Sequence, residues 1–150
     1  MDRPSCIEVL NRIRQRVTGD LDDILRLRNS RSVKRDHSYV TEGDLLVQEI
    51  CMQEIGKVSA PNLVVVSEEN RSRDHAPGDD QVTFVIDPID GTENFTSGLP
   101  EWGISISCYS GLDHMVSMIG CPEFSTWYMS GDIPSVSHES RIHGLSRHAH

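Results

Sequence analysis

The stretch Asp87-Pro88-Ile89-Asp90-Gly91-Thr92 places two carboxylates beside a proline and a glycine. Pro88 locks its own φ and holds Asp87 extended. The chain must then turn at Gly91. Both carboxylates therefore emerge at one strand end, beside the start of a short helical turn whose backbone N–H groups at Gly91 and Thr92 can face an anion. Hard oxygen ligands next to a phosphate-sized nest suit Mg²⁺ better than softer metals. Glu68 adds a third carboxylate just past the apolar run Leu63-Val64-Val65-Val66. If that run is a strand beside the one that ends at Ile86, Glu68 and Asp87 leave the sheet on the same side. Two ions held roughly 3.5–4 Å apart can clamp the attacking and the leaving oxygen of a phosphoryl transfer, and lower the pKa of a water. Each piece alone has a plainer reading. Asp-Pro and Asp-Gly are common turn formers, Glu68 and Glu69 suit a solvated strand end, and Thr41-Glu42-Gly43-Asp44 is a helix cap. Their order along one chain points to a site.

The elements that would position these groups follow from periodicity. Ile7, Leu10, Ile13 and Val17, then Leu21, Ile24 and Leu25 after Gly19, predict a long or broken amphipathic helix from about Ser5 to Arg28. Residues 29–36 are polar and basic and read as a loop. Thr41 caps a helix carrying Leu46, Val47, Ile50, Cys51 and Ile55, which Gly56 ends. Leu63–Val66 reads as a buried strand and Val82–Ile86 as a second. Residues 70–81, with Pro77-Gly78, read as an exposed loop. Gly91 to Ser97 is a turn with one turn of helix. Ile104, Ile106 and Cys108 alternate with Ser105 and Ser107, a period of two. Gly111-Leu112-Asp113 turns this strand back into His114–Ile119, an antiparallel hairpin, and Ser125–Ser130 supplies a short strand. Residues 131–150 hold four of the seven histidines and little periodicity, which reads as a disordered or divergent tail.

These motifs resemble the inositol monophosphatase family. Val85 to Phe95 closely matches the family's first signature. Lys34 to Asp44 is similar to its upstream Lys-x-Asp-x-Ser-x-x-Thr-x-x-Asp segment. Ser67-Glu68-Glu69 resembles its Gly-Glu-Glu, with Ser in place of Gly, and Leu99-Pro100 with Trp102 to Ile106 resembles the strand after the signature. The resemblance runs from about Ser5 to Ser130. It implies an α/β fold of α+β type, the N-terminal half of a layered sugar-phosphatase architecture with a largely antiparallel sheet and paired helices. It implies Glu68, Asp87, Asp90 and the Ile89 carbonyl as Mg²⁺ ligands, and Asp90, Gly91 and Thr92 as the substrate-phosphate site. Thr92 would orient the attacking water, held by Asp44, and Glu68 would help activate it. The implied activity is phosphate monoester hydrolysis on a small phosphorylated polyol, foremost inositol monophosphate. Bisphosphate nucleotidases and histidinol phosphatases have similar first signatures.

The family's second signature, Trp-Asp followed by small residues, supplies a further ligand. Here Trp102 precedes Gly103 and Trp127 precedes Tyr128. A domain over residues 1–130 is thus expected to be a truncated half. It would hydrolyse esters slowly by itself, expose apolar surface and associate, as a homodimer or with a full-length relative. A non-catalytic binding or regulatory protein is the competing expectation. The net charge of −9 argues against a nucleic-acid partner, because phosphate contacts need clustered Lys and Arg. No apolar run approaches membrane-spanning length. Cys6, Cys51, Cys108 and Cys121 show no zinc-ligand spacing and predict reduced, mostly buried thiols in a cytoplasmic protein.

Overall fold

The computed structural model describes residues 1–33, 39–60, 62–68 and 81–130. The predicted loop 70–81, apart from Gln81, and the 131–150 tail lie outside the described residues, as do Lys34 to Ser38 of the upstream motif. The predicted long helix is broken at Asp20 into α1 (Arg3–Gly19) and α2 (Leu21–Arg26). Asp2 caps α1 by accepting from Ser5 N at 3.0 Å. Cys6, Val9, Leu10, Ile13 and Val17 form its buried stripe. Each such aliphatic withdrawn from water contributes on the order of 1.5–3 kcal/mol.

A short antiparallel pair follows, β1 (Arg31–Val33) with β2 (Tyr39–Thr41). This corrects the loop expected over residues 29–36. Three residues are too few for a period to show in sequence, and the ladder supplies what intrinsic preference does not. β2 delivers Thr41 directly to the start of α3 (Glu42–Gly56). There the capping box is complete: Thr41 Oγ1 accepts from Asp44 N at 3.2 Å, and Asp44 Oδ2 accepts from Thr41 N at 2.8 Å. α1 and α3 pack as a pair. Their seam is fastened at buried Glu54, whose carboxylate takes Arg12 at 3.3 Å, Arg16 at 3.2 Å and Lys57 at 2.6 Å. The Lys57 hydrogen bond does most to hold Glu54 below the usual carboxylate range, with Arg12 and Arg16 adding to it.

One five-stranded sheet carries the rest, in the order β3 (Leu63–Ser67), β4 (Val82–Asp90), β5 (Gly103–Ser110), β6 (Asp113–Cys121) and β7 (Thr126–Met129). β3 runs parallel to β4 and every other pair is antiparallel. The mixed α/β class with a mostly antiparallel sheet is the one expected. The β4–β5–β6–β7 run is an antiparallel meander. Phe84, Ile86, Ile104, Ile106, Val116 and Met118 are buried on one face of the sheet with the helix stripes.

Two strand expectations need correction. β3 is an edge strand and its valines are only half buried. β4 does not stop at Ile86 but continues to Asp90, with the ladder to β5 interrupted between Asp87 and Asp90. Proline has no N–H to donate to a ladder, so Pro88 is tolerated inside a central strand only at such a bulge. All four cysteines are free thiols, Cys121 half buried and the others buried. Burial pushes the Cys51 thiol up to about 12. Among the described residues no helix is long and apolar enough to cross a membrane.

Gly120 pairs with Trp127 across β6 and β7. A Cβ placed there would stand 2.2 Å from the indole Cζ3. Gly120→Ala is therefore expected to destabilise the fold by about 1–3 kcal/mol through overpacking, read as a lower urea midpoint with an unchanged slope.

Candidate metal centre

The end of β4 departs from strict alternation. Ile86 faces the core, Asp87 the open face, and then Pro88 and Ile89 are both buried before Asp90 emerges exposed. The bulge turns Ile89 inward as an anchor and leaves a carboxylate on either side of it. β3 pairs Ser67 with Ile86, so Glu68, the next residue, leaves the sheet at the level of Asp87. Glu68 and Asp87 line a hollow of about 210 Å³ together with Val66, Val85, Ser105 and Ser107. A roomier hollow of about 260 Å³ lies between α1 and β6–β7. No carboxylate lines it, so chemistry and not size locates the site.

Burial, then the charge of Glu68, then that of Asp90 push the Asp87 carboxyl up to about 6, with a hydrogen bond to Glu68 and the charge of Asp44 acting the same way. Asp87 Oδ1 is buried without a hydrogen-bond partner among the described residues. A buried carboxylate oxygen with no donor, surrounded by further carboxylates, is stabilised by a hard divalent cation. The residues present fit such an ion at Glu68 and Asp87. Among the described residues, no three His, Cys, Asp or Glu side chains stand close enough to form a ready-made cage. Asp90 acts on Asp87 through its charge, from the exposed side of the bulge.

After β4, Gly91 adopts φ +86° and opens α4 (Thr92–Thr96). Gly is suited to this left-handed backbone, and a Cβ would also stand 3.3 Å from the Glu101 carbonyl. The first N–H groups of α4 have no carbonyl within the helix to bond. The Thr92 hydroxyl donates to the Ile89 carbonyl at 3.1 Å. Asp44, almost fully buried, accepts the Thr41 hydroxyl at 2.6 Å. The cap role of Asp44 is thus on view, and Thr92 is engaged with Ile89. Ser105 and Ser107 were not singled out as site residues in the sequence. Their alternation with Ile104 and Ile106 was the signal, since it puts both hydroxyls on the face opposite the core, with Ser105 paired to Asp87.

Comparison with known proteins bears on the family and the fold. The sequence model of the inositol monophosphatase family matches residues 5–139, which runs into the segment set apart at 131. The Nus factor SuhB of Pasteurella multocida is 36% identical over 76 residues, 51% of this chain and 27% of that protein. The 3'(2'),5'-bisphosphate nucleotidase CysQ of Aggregatibacter actinomycetemcomitans is 28% identical over 116 residues, 74% of this chain and 42% of that protein. A solved IMPase/NADP phosphatase, complexed with NADP and Ca²⁺, superposes with a TM-score of 0.75 at 16% identity, covering 86% of this chain and 48% of that one. The chain thus spans less than half the length of these relatives.

The pH dependence of stability follows from Asp87. Between its ordinary value of 3.8 and its folded value of about 6, the folded state holds this proton more than the unfolded state does. Without divalent ions, stability therefore falls as pH rises through that window, and the penalty is complete above it. Asp87→Asn is expected to remove this fall and to raise the melting temperature at neutral pH by a few degrees, the half-exposed setting screening the effect. Ca²⁺ or Mg²⁺ should stabilise the wild type and not the variant. Calorimetric melting across pH 4–7 checks both, and an unchanged profile in Asp87→Asn counts against the assignment.

Proposed function

The chain belongs to the inositol monophosphatase family, and from that premise we propose that its carboxylate-lined strand end holds Mg²⁺ and serves the hydrolysis of a phosphate monoester on a small polyol. The observation that carries this reading is Asp87, held at the mouth of a hollow with Glu68 beside it and one oxygen buried without a donor. Mg²⁺, when bound, supplies positive charge against the phosphate and lowers the pKa of a nearby water. Glu68, Asp87 and the Ile89 carbonyl would hold the ion, with Asp90 contributing from the exposed side of the bulge. Glu68, exposed and next to Asp87, would take a proton from the attacking water. The backbone N–H groups at the start of α4, Gly91 and Thr92, would receive the phosphate oxygens. The Thr92 hydroxyl, fixed on Ile89 O, has its lone pairs left to orient that water, and Asp44 stiffens the neighbouring cap. These assignments follow the family resemblance residue by residue.

Inositol monophosphate is the leading substrate, and the likeness to CysQ keeps a bisphosphate nucleotide as the second choice. A binding or regulatory role without turnover is the competing reading. It is favoured by the lack of a ready three-group cage among the described residues. The site proposed here should bind Mg²⁺ weakly, with roughly millimolar affinity, because Mg²⁺ needs near-ideal octahedral geometry.

Phosphate release from inositol monophosphate, an adenosine 3',5'-bisphosphate and histidinol phosphate, with and without Mg²⁺, separates these readings. The expected outcome is slow release that requires Mg²⁺, is fastest with inositol monophosphate and drops by about tenfold or more in Asp87→Asn and Glu68→Gln. Mg²⁺ binding without release from any ester would establish the regulatory reading in its place. Release indifferent to both the ion and Asp87 would defeat the metal centre altogether.

A further inference from the structure

The short helix that follows the bulge is too brief to hold its own shape. Five residues cannot repay helix nucleation in isolation, and its first residue enters from a left-handed glycine. What fixes it is a wall of side chains behind it. Phe95, fully buried, meets Trp102 edge to face with centroids 5.0 Å apart. The guanidinium of Arg28 lies 5.2 Å from the centre of the same phenyl ring. Asn94 Nδ2 donates to the Glu101 carbonyl at 2.6 Å. Gly91 is tucked against Glu101 and Trp102, where a Cβ would come within 3.7 Å of the Trp102 Cβ. Trp102 therefore sets both ends of the loop that carries Gly91 and Thr92.

Trp102 is in turn held from elsewhere. Its indole Nε1 donates to Glu123 Oε1, and Arg28 Nη2 donates to that same oxygen. Glu123 sits in the 3-10 turn Pro122–Phe124, between β6 and β7. The side chains of Arg28 and Glu123 are only 17% and 19% exposed, so the pair is shielded from solvent competition. An indole N–H is a donor only and a guanidinium has no acceptor. Removing the Glu123 carboxylate would leave both without their shared partner beside the ring on which the loop rests.

We propose that Glu123 is a positioning residue for the metal and phosphate loop, acting through Trp102 and Arg28 to fix the backbone of residues 91–96. The proposal rests on the metal-centre reading of Glu68 and Asp87. It adds that the centre's geometry is set by a carboxylate from the far hairpin that touches neither ion nor substrate. Partners behind the ligands of a metal site typically change its affinity by about 10- to 100-fold when removed.

Two measurements test it. In the ion-free protein, amide hydrogen exchange over residues 92–98 should quicken by about tenfold or more in Glu123→Ala, while α1 exchanges at the wild-type rate. Terbium, a hard-oxygen probe sensitised by a nearby indole, should bind Glu123→Ala about 10-fold or more weakly than wild type. Glu123→Gln, which keeps an acceptor oxygen for the indole, should recover most of that loss. Trp102→Phe, which keeps the ring and removes the N–H, serves where Glu123→Ala does not fold, and should show the same loop exchange. Wild-type exchange over 92–98, or an equal quickening throughout α1, overturns the proposal. Failure of the wild type to bind terbium, or equal binding by Asp87→Asn, overturns the metal reading instead, and the exchange measurement then still decides the role of Glu123.

Discussion

A proline inside a central strand forces the ladder between β4 and β5 to open, and the site depends on that opening. Within five residues the chain must bury Ile86, present Asp87, bury Ile89 and present Asp90. Regular pleating would send Asp87 and Ile89 to the same face. Either the carboxylate would enter the core or the isoleucine would leave it. The bulge lets both requirements hold, at the cost of ladder hydrogen bonds that Pro88 could not have completed. It also frees the Ile89 carbonyl to take the Thr92 hydroxyl. One interruption thus displays the two carboxylates and ties the following helix to the strand.

The surrounding packing makes this irregular segment a single conformation. Phe95 is the point where it is gripped: a Cβ on Gly43 would come within 2.9 Å of its ring, so α3 approaches the loop closely only because that position is glycine. On the other side stand Trp102 and Arg28. Three separate elements converge on one phenyl ring, and each is anchored by polar contacts of its own. Thr41 and Asp44 fix the start of α3, and Glu123 fixes Trp102 and Arg28. The carboxylates at the strand end repel one another as charges, and the apolar and ionic contacts behind the loop help to hold them in place beside the hydrogen bond between Asp87 and Glu68.

Much of this was legible in the residues. The α1 stripe, the Thr41–Asp44 cap and the alternation of serine with isoleucine in β5 are local patterns, and local patterns survive into structure. The neighbouring of β3 and β4 was needed to bring Glu68 to Asp87, and parallel pairing satisfied it. What stayed hidden was non-local or too brief. β1 has too few residues to show a period. Pro88 read as the end of a strand, because a bulge is a property of two strands and only one was in view. The joint grip of Glu123 on Arg28 and Trp102 links positions 95 and 21 residues apart, and no spacing rule connects them. Ser105 and Ser107 could be assigned a face but not a neighbour until the register set Ser105 beside Asp87.

β3 pairs with β4 alone among the described residues. Among the described residues its other side is an unpaired ladder edge, and Leu63-Val64-Val65-Val66 carries no charge of the kind that blunts such edges. The net charge of −9 acts against the approach of like copies. Such repulsion reaches only about 10 Å at 0.1 M salt. A divalent cation bound at the proposed centre would also cancel part of the charge that acts against association. Under the proposed function, loading the centre and keeping copies apart would therefore be opposed, because one ion would serve the first and weaken the second.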